Sequence, residues 1–232
     1  MKTLSTLHPV KNFSTNFKGS SRFHFLSLFL FLGLYVIVAM LNPFPFSVSI
    51  LIALFAIAWT WITMGNLHPI GLKKFKNTGK TLIQTFLLFI SLMLLMEYLI
   101  DPAINFITNN KPDLSTFEFI KGNTLAWLQY LGVSWFIAAL CEEIVFRGFL
   151  LYVLHRLSGE SNWGQWVAIL ISSTLFGVVH FYQGLSGIFL TGIIGFALAV
   201  IYFKMNRNLW VCIILHGLID TTSLTLLYLG IN

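Results

Sequence analysis

The chain has 232 residues, 57% of them hydrophobic and only 9% charged, with a formal net charge of +6. An ordinary soluble domain carries about 25% charged residues, so these proportions exclude a chain that hides its apolar surface in one water-facing core. The basic excess does not indicate nucleic-acid binding, because Lys and Arg sit in short segments between apolar runs, where they bias orientation and meet anionic lipid.

In chain order, residues 1–22 are basic, rich in Ser and Thr and free of acids. A cytosolic tail and an organelle transit peptide share that composition; the loop charges favour the tail, read as residues 1–24. Apolar runs follow at Phe25–Leu41, Phe46–Met64, Thr81–Ile100, Thr124–Leu140, Gly164–Phe181, Leu185–Phe203 and Leu209–Leu229. They hold roughly 17 to 21 residues each, and ~20 span a ~30 Å hydrocarbon layer as helix. Their apolarity is continuous instead of alternating, which indicates helices and not barrel strands. The expected fold is all-α, a polytopic membrane bundle of about seven transmembrane helices forming one integrated domain. Asn42-Pro43-Phe44-Pro45 predicts a tight non-helical turn between the first two spans, and the fourth is expected to continue helically to Leu157.

The tail, the Lys73–Lys80 segment, Arg156, Lys204 and Arg207 together hold 11 of the 14 basic residues. With seven spans these fall on one side, which the positive-inside rule makes cytosolic. The reading is a multi-pass cell-membrane protein with its N-terminus in the cytosol and its C-terminus outside. Lys73–Lys80 is expected to rest on anionic headgroups, and Trp127, Trp163 and Trp210 to lie in interfacial belts. Asp101, Asp113 and Glu118 are placed in the longest external loop, and Cys141 and Cys212, both in apolar runs, form no disulfide framework.

Three acids and one arginine fall inside apolar helices: Glu142, Glu143, Asp220 and Arg147. A charge at mid-membrane costs about 2.5–3.5 kcal/mol even on the lenient insertion scale, so these residues must face one another or water. Glu143 and Arg147 are four apart, stacked on one helical face and able to pair. Glu142 is turned away and left free, a carboxylate placed to act as general base toward water. In Phe176-Gly177-Val178-Val179-His180, Gly177 permits close approach of another helix and Phe176 can pack beneath the imidazole. In His216-Gly217-Leu218-Ile219-Asp220, the spacing lets Asp220 hydrogen-bond and orient His216. Counted at 1.5 Å per residue, Glu142 and His180 lie at similar depth, but His216 reaches them only if the last helix starts deeper or the ends of helices four and five project into the cytosol.

Glu142-Glu143-x-x-x-Arg147, Phe176-x-x-x-His180 and His216-x-x-x-Asp220, in that order, resemble the three motifs of the CPBP family. That family includes the CAAX prenyl endopeptidases and many abortive-infection and bacteriocin-immunity proteins. The resemblance covers roughly 120–222. It divides the domain into N-terminal transmembrane helices over 25–119 and a CPBP-like catalytic bundle over 120–232, and it implies an intramembrane glutamate endopeptidase. By motif, Glu142 would be the base, with Glu143 beside it. His180 and His216 would assist it or stabilise the oxyanion, Asp220 would position His216, and Arg147 would be the structural ion pair. The implied partners are the bilayer and a membrane-associated peptide substrate, with no cofactor and no metal. One position departs from the pattern: the prenyl-protease branch resembles HxxxN, whereas Asp220 is a charged acceptor that cannot donate as an amide can.

Other readings stand beside this one. The three acids and Arg147 could be an ion cluster that only fixes packing, in a non-catalytic immunity or scaffold protein. Two histidines and a carboxylate could hold zinc in a metal-dependent hydrolase, although the chain has no HExxH. Cys212, four residues before His216, could form a thiol–imidazole dyad.

Overall fold

A computed structural model describes residues 20–41 and 45–231. Most of the expected basic tail and of the turn at 42–45 therefore lies outside the described residues. The described residues are mostly helical, with no strand among them. Helix α1 spans Ser21–Leu41 and α2 Pro45–Met64. Helix α3 runs Thr78–Thr108, and α4 runs unbroken over 124–157, as far as expected. Helices α5, α6 and α7 span Asn162–Val178, Gly184–Lys204 and Leu209–Leu229. Asn77, Asn123, Ser161 and Asn208 start α3, α4, α5 and α7, each accepting a backbone N–H from the first turn, as short polar side chains at N-caps do.

Among the described residues, five stretches are long and apolar enough to cross a membrane: Ser21–Leu41, Ser47–Met64, Thr78–Thr108, Phe181–Lys204 and Leu209–Leu229. The all-α membrane bundle is as expected, whereas length and composition support five spans against the expected seven. Helix α5 has 17 residues, and α4 carries Glu142, Glu143, Arg147 and Arg156. Large apolar side chains such as Phe29, Met40, Leu125 and Trp163 point outward from the bundle, as they do when lipid is the solvent.

Helix α3 overruns its expected end. Pro102 has no N–H to donate to the preceding turn, and that turn, Met96–Ile100, opens into a π-helix that keeps the rod continuous. Asp101 consequently lies inside the helix and not in the external loop.

Helix α4 is the central post. Its residues 143–151 are buried all round, the pattern of a helix enclosed by others. The main core gathers on it: Phe31 from α1, Ile52 and Ala56 from α2, Ile169 from α5, Tyr202 from α6 and Cys212 from α7. Helices α5 and α6 approach closely where Gly177 meets Gly192; a Cβ on Gly177 would stand 2.5 Å from the Ile188 carbonyl oxygen.

The segment after α2 folds back beneath α7. Gly71 takes φ of 84°, its carbonyl accepts the Leu209 N–H at 3.0 Å, and a Cβ there would lie 2.7 Å from the Arg207 carbonyl oxygen. Asn208 donates to the Lys73 carbonyl, and the Lys73 ammonium donates to the Asn206 carbonyl. Lys73, expected at headgroups, is thus a loop clasp; partial burial, with Arg207 and Lys76 nearby, pushes its ammonium pKa down. The clasp sets the depth of α7. Leu209 Cδ2 lies 3.4 Å from the Cβ position of Gly148, nine residues or about 13 Å up α4 from Leu157. The last helix starts deep, and that lifts His216 to the level of Glu143.

Candidate active site

Residues Ser134–Glu142 and Ile144–Leu150 of α4 wind as π-helix, a form that is rare and concentrates at functional sites. On this widened stretch Glu143 is fully buried, and its Oε1 accepts from Arg147 Nη1 at 2.7 Å and from His216 Nδ1 at 2.9 Å. One carboxylate oxygen therefore ties the motif on α4 to the motif on α7.

Phe176 joins the second motif, its own, to the other two. The Arg147 guanidinium lies 4.0 Å over its ring, the His180 ring is 4.8 Å away, and the His216 ring meets it edge-on at 6.1 Å. His180 follows the end of α5, and its Nδ1 bonds the Phe176 carbonyl at 2.7 Å. A carbonyl only accepts, so the proton sits on Nδ1 and Nε2 keeps its lone pair.

Asp220 does not hold His216 as its spacing suggested. Its Oδ1 is 3.6 Å from His216 Nε2, beyond hydrogen-bond reach, while Oδ2 accepts from Ser134 Oγ at 2.8 Å. The imidazole instead donates to Glu143, a residue assigned by spacing alone to Arg147; Asp220 contributes its charge one turn away. Neither His–acid pairing nor the meeting of separate helices at Glu143 can be read from an i,i+4 count.

Among the described residues, Glu142 forms no hydrogen bond or ion pair with Arg147, which pairs with Glu143. It faces a cavity of about 30 Å³ that it shares with Tyr35, Ser49, Val145, Phe146 and Val179, and its Oε2 is buried with no hydrogen-bond partner among the described residues. A water needs ~10–15 Å³ of such space, so the cavity has room for one beside the carboxylate.

Glu142, Glu143 and Asp220 all lie close enough to His216 for their charges to act on it, and His180 lies in the same electrostatic neighbourhood. The six residues picked from sequence thus converge on one region. Residues 124–222, which contain all of them, match the family described as "Rce1-like: Type II CAAX prenyl endopeptidase Rce1-like". The match supports the CPBP/CAAX protease family for this stretch. No curated protein and no solved structure matches the chain.

The CAAX protease segment leaves α1, α2 and α3 outside the match, yet two walls of the Glu142 cavity, Tyr35 and Ser49, come from α1 and α2. Sequence reasoning missed both. The available signal was a lone Tyr within an otherwise aliphatic half of a span. It also missed Trp135, which donates to Thr221 at 3.1 Å and packs on Gly217, where a Cβ would come within 2.6 Å of the ring. Glycine there lets α7 seat directly on α4.

The remaining options can be placed on the same geometry. Cys212 donates to the Leu198 carbonyl and Cys141 to the Phe136 carbonyl, so among the described residues neither thiol is paired with an imidazole. No group of three or more His, Cys, Asp or Glu is arranged to hold a metal ion among the described residues.

Proposed function

We propose that the chain is an intramembrane endopeptidase in which Glu142 activates a water held in its cavity for attack on a peptide bond of a membrane-associated substrate. The observation that carries this reading is the unpaired Glu142 carboxylate beside a water-sized cavity, within the CAAX protease segment. A buried carboxylate without a partner is costly, and a bound water relieves it.

The chemistry balances with the groups present. Glu142 takes a proton from the water as the water oxygen bonds the carbonyl carbon, and the carbonyl π pair moves to its oxygen. Collapse of that intermediate breaks the C–N bond, and the proton on Glu142 passes to the leaving amine. His180 keeps an Nε2 lone pair in the same electrostatic neighbourhood. His216, between Glu143 and Asp220, and Arg147 behind Glu143 fix the electrostatics of the pocket, so that Glu143 is spent on positioning and Glu142 remains reactive. The basic residues around Arg156 and Lys73 support a cytosolic position for that end of the bundle.

Cleavage of a farnesylated CAAX peptide, its unprenylated counterpart and a library of membrane peptides by purified protein tests the reading. Glu142→Gln keeps the shape and removes the base; kcat is expected to fall at least about a thousandfold, the upper part of the range for general-base loss. Equal cleavage by parent and variant removes Glu142 from the mechanism.

A further inference from the structure

A base alone does not complete the site, because charge develops on the carbonyl oxygen and a donor aimed at it supplies a large share of the rate. The two imidazoles are already engaged by other groups. His180 has its N–H bound to the Phe176 carbonyl, leaving an acceptor. His216 has Nδ1 on Glu143, with Nε2 facing Asp220.

Tyr35 has what they lack. Its side chain lines the Glu142 cavity and lies close enough to feel the Glu142 charge. It stands on α1 and shares the cavity lining with Glu142, Val145 and Phe146 of α4, and among the described residues its hydroxyl makes no hydrogen bond. A partly buried phenol ordinarily finds a partner for its O–H, so an unengaged one facing the base and its water-sized space is a donor awaiting an acceptor. Ser49 on α2 adds a second hydroxyl to the same lining.

We infer that the Tyr35 hydroxyl is the oxyanion donor of this site, a catalytic residue supplied by the N-terminal helices outside the family match. The inference rests on the reading of Glu142 as base. The substrate carbonyl enters between α1 and α4 with its carbon toward the Glu142-bound water and its oxygen toward Tyr35. The phenol keeps its proton throughout and only strengthens its hydrogen bond as the oxygen gains charge.

Tyr35→Phe preserves the ring and removes only the donor. Assayed on whichever peptide the parent cleaves, with kcat expressed per folded molecule, it is expected to lower kcat about 100-fold, the loss seen on removing one oxyanion donor. KM should stay within about twofold, since the interaction forms only in the transition state. If the phenylalanine variant folds poorly, a difluorotyrosine at position 35 keeps the ring and the hydroxyl while making the phenol ionise more readily. The alkaline limb of kcat then moves to lower pH, a shift that a packing role does not produce. Parental kcat in Tyr35→Phe, or an unmoved alkaline limb, beside an inactive Glu142→Gln, overturns the Tyr35 role and leaves Glu142 in place. Full activity of Glu142→Gln overturns both.

Discussion

Replacing Glu143 by alanine strands Arg147, which is 1% exposed at the centre of the bundle. Breaking a buried pair by removing one partner destabilises by about 3–5 kcal/mol, because the remaining charge is uncompensated. The same change deletes the hydrogen bond from His216 Nδ1, and a bond to a charged acceptor contributes about 1.5–3 kcal/mol. The two do not add fully, since Arg147 keeps its contact with the Phe176 ring, and about 4–6 kcal/mol is expected, a large share of the ~5–15 kcal/mol that holds a typical protein folded. Glu143→Gln keeps an acceptor for both donors and loses only the charge, so about 2–3 kcal/mol is expected there. Exchanging the pair together, Glu143→Leu with Arg147→Met, removes both charges, and a matched apolar pair is often neutral. The double variant should therefore be more stable than Glu143→Ala. Equilibrium unfolding in mixed micelles across the double-mutant cycle measures this directly. A Glu143→Ala loss below about 1 kcal/mol, or a coupling between 143 and 147 near zero, refutes the claim that this carboxylate clamps the centre.

Gly177→Val drives a side chain into backbone, the Ile188 carbonyl oxygen at 2.5 Å and Gly192 Cα at 3.0 Å. It should destabilise by about 1–3 kcal/mol, while Gly192→Ala, whose Cβ would meet nothing nearer than 3.7 Å, should melt within a few degrees of the parent. Asp220→Asn retains an acceptor for Ser134 Oγ and should leave the fold intact and peptide cleavage within about tenfold. Asp220→Ala orphans that hydroxyl and should cost about 1–3 kcal/mol in the same unfolding measurement.

The fold class was legible because the bilayer imposes a coarse rule: long continuous apolar runs must be helices. The pairing of Glu143 with Arg147 was legible too, since it lies within one helix at a spacing that survives the change from α to π winding. What is set by contacts between helices was not. The partner of His216 lies 73 residues away, and helical periodicity carries no information about it. The overrun of α3 through Asp101 depends on a π turn that absorbs Pro102; a proline and an acid together read as loop because composition does not show which hydrogen bonds can be rerouted. The depth of His216 was left between two explanations, and the choice fell to Gly71, a residue far from the motifs, through the clasp that seats Leu209 beside Gly148.

That clasp and the Glu142 cavity lead to the same point about how the site is assembled. The CAAX protease segment carries every ionisable group of the cluster, but it neither sets the height of its own last helix nor closes its own cavity. The loop after α2 does the first, through Gly71 and Lys73, and α1 and α2 do the second, through Tyr35 and Ser49. A charged cluster beneath the lipid surface needs such walls: without them Glu142 faces hydrocarbon, where it can hold neither its charge nor a water. On the proposed reading the N-terminal helices are part of the chemistry, because Tyr35 and Ser49 help to line a small, partly polar space beside the carboxylate.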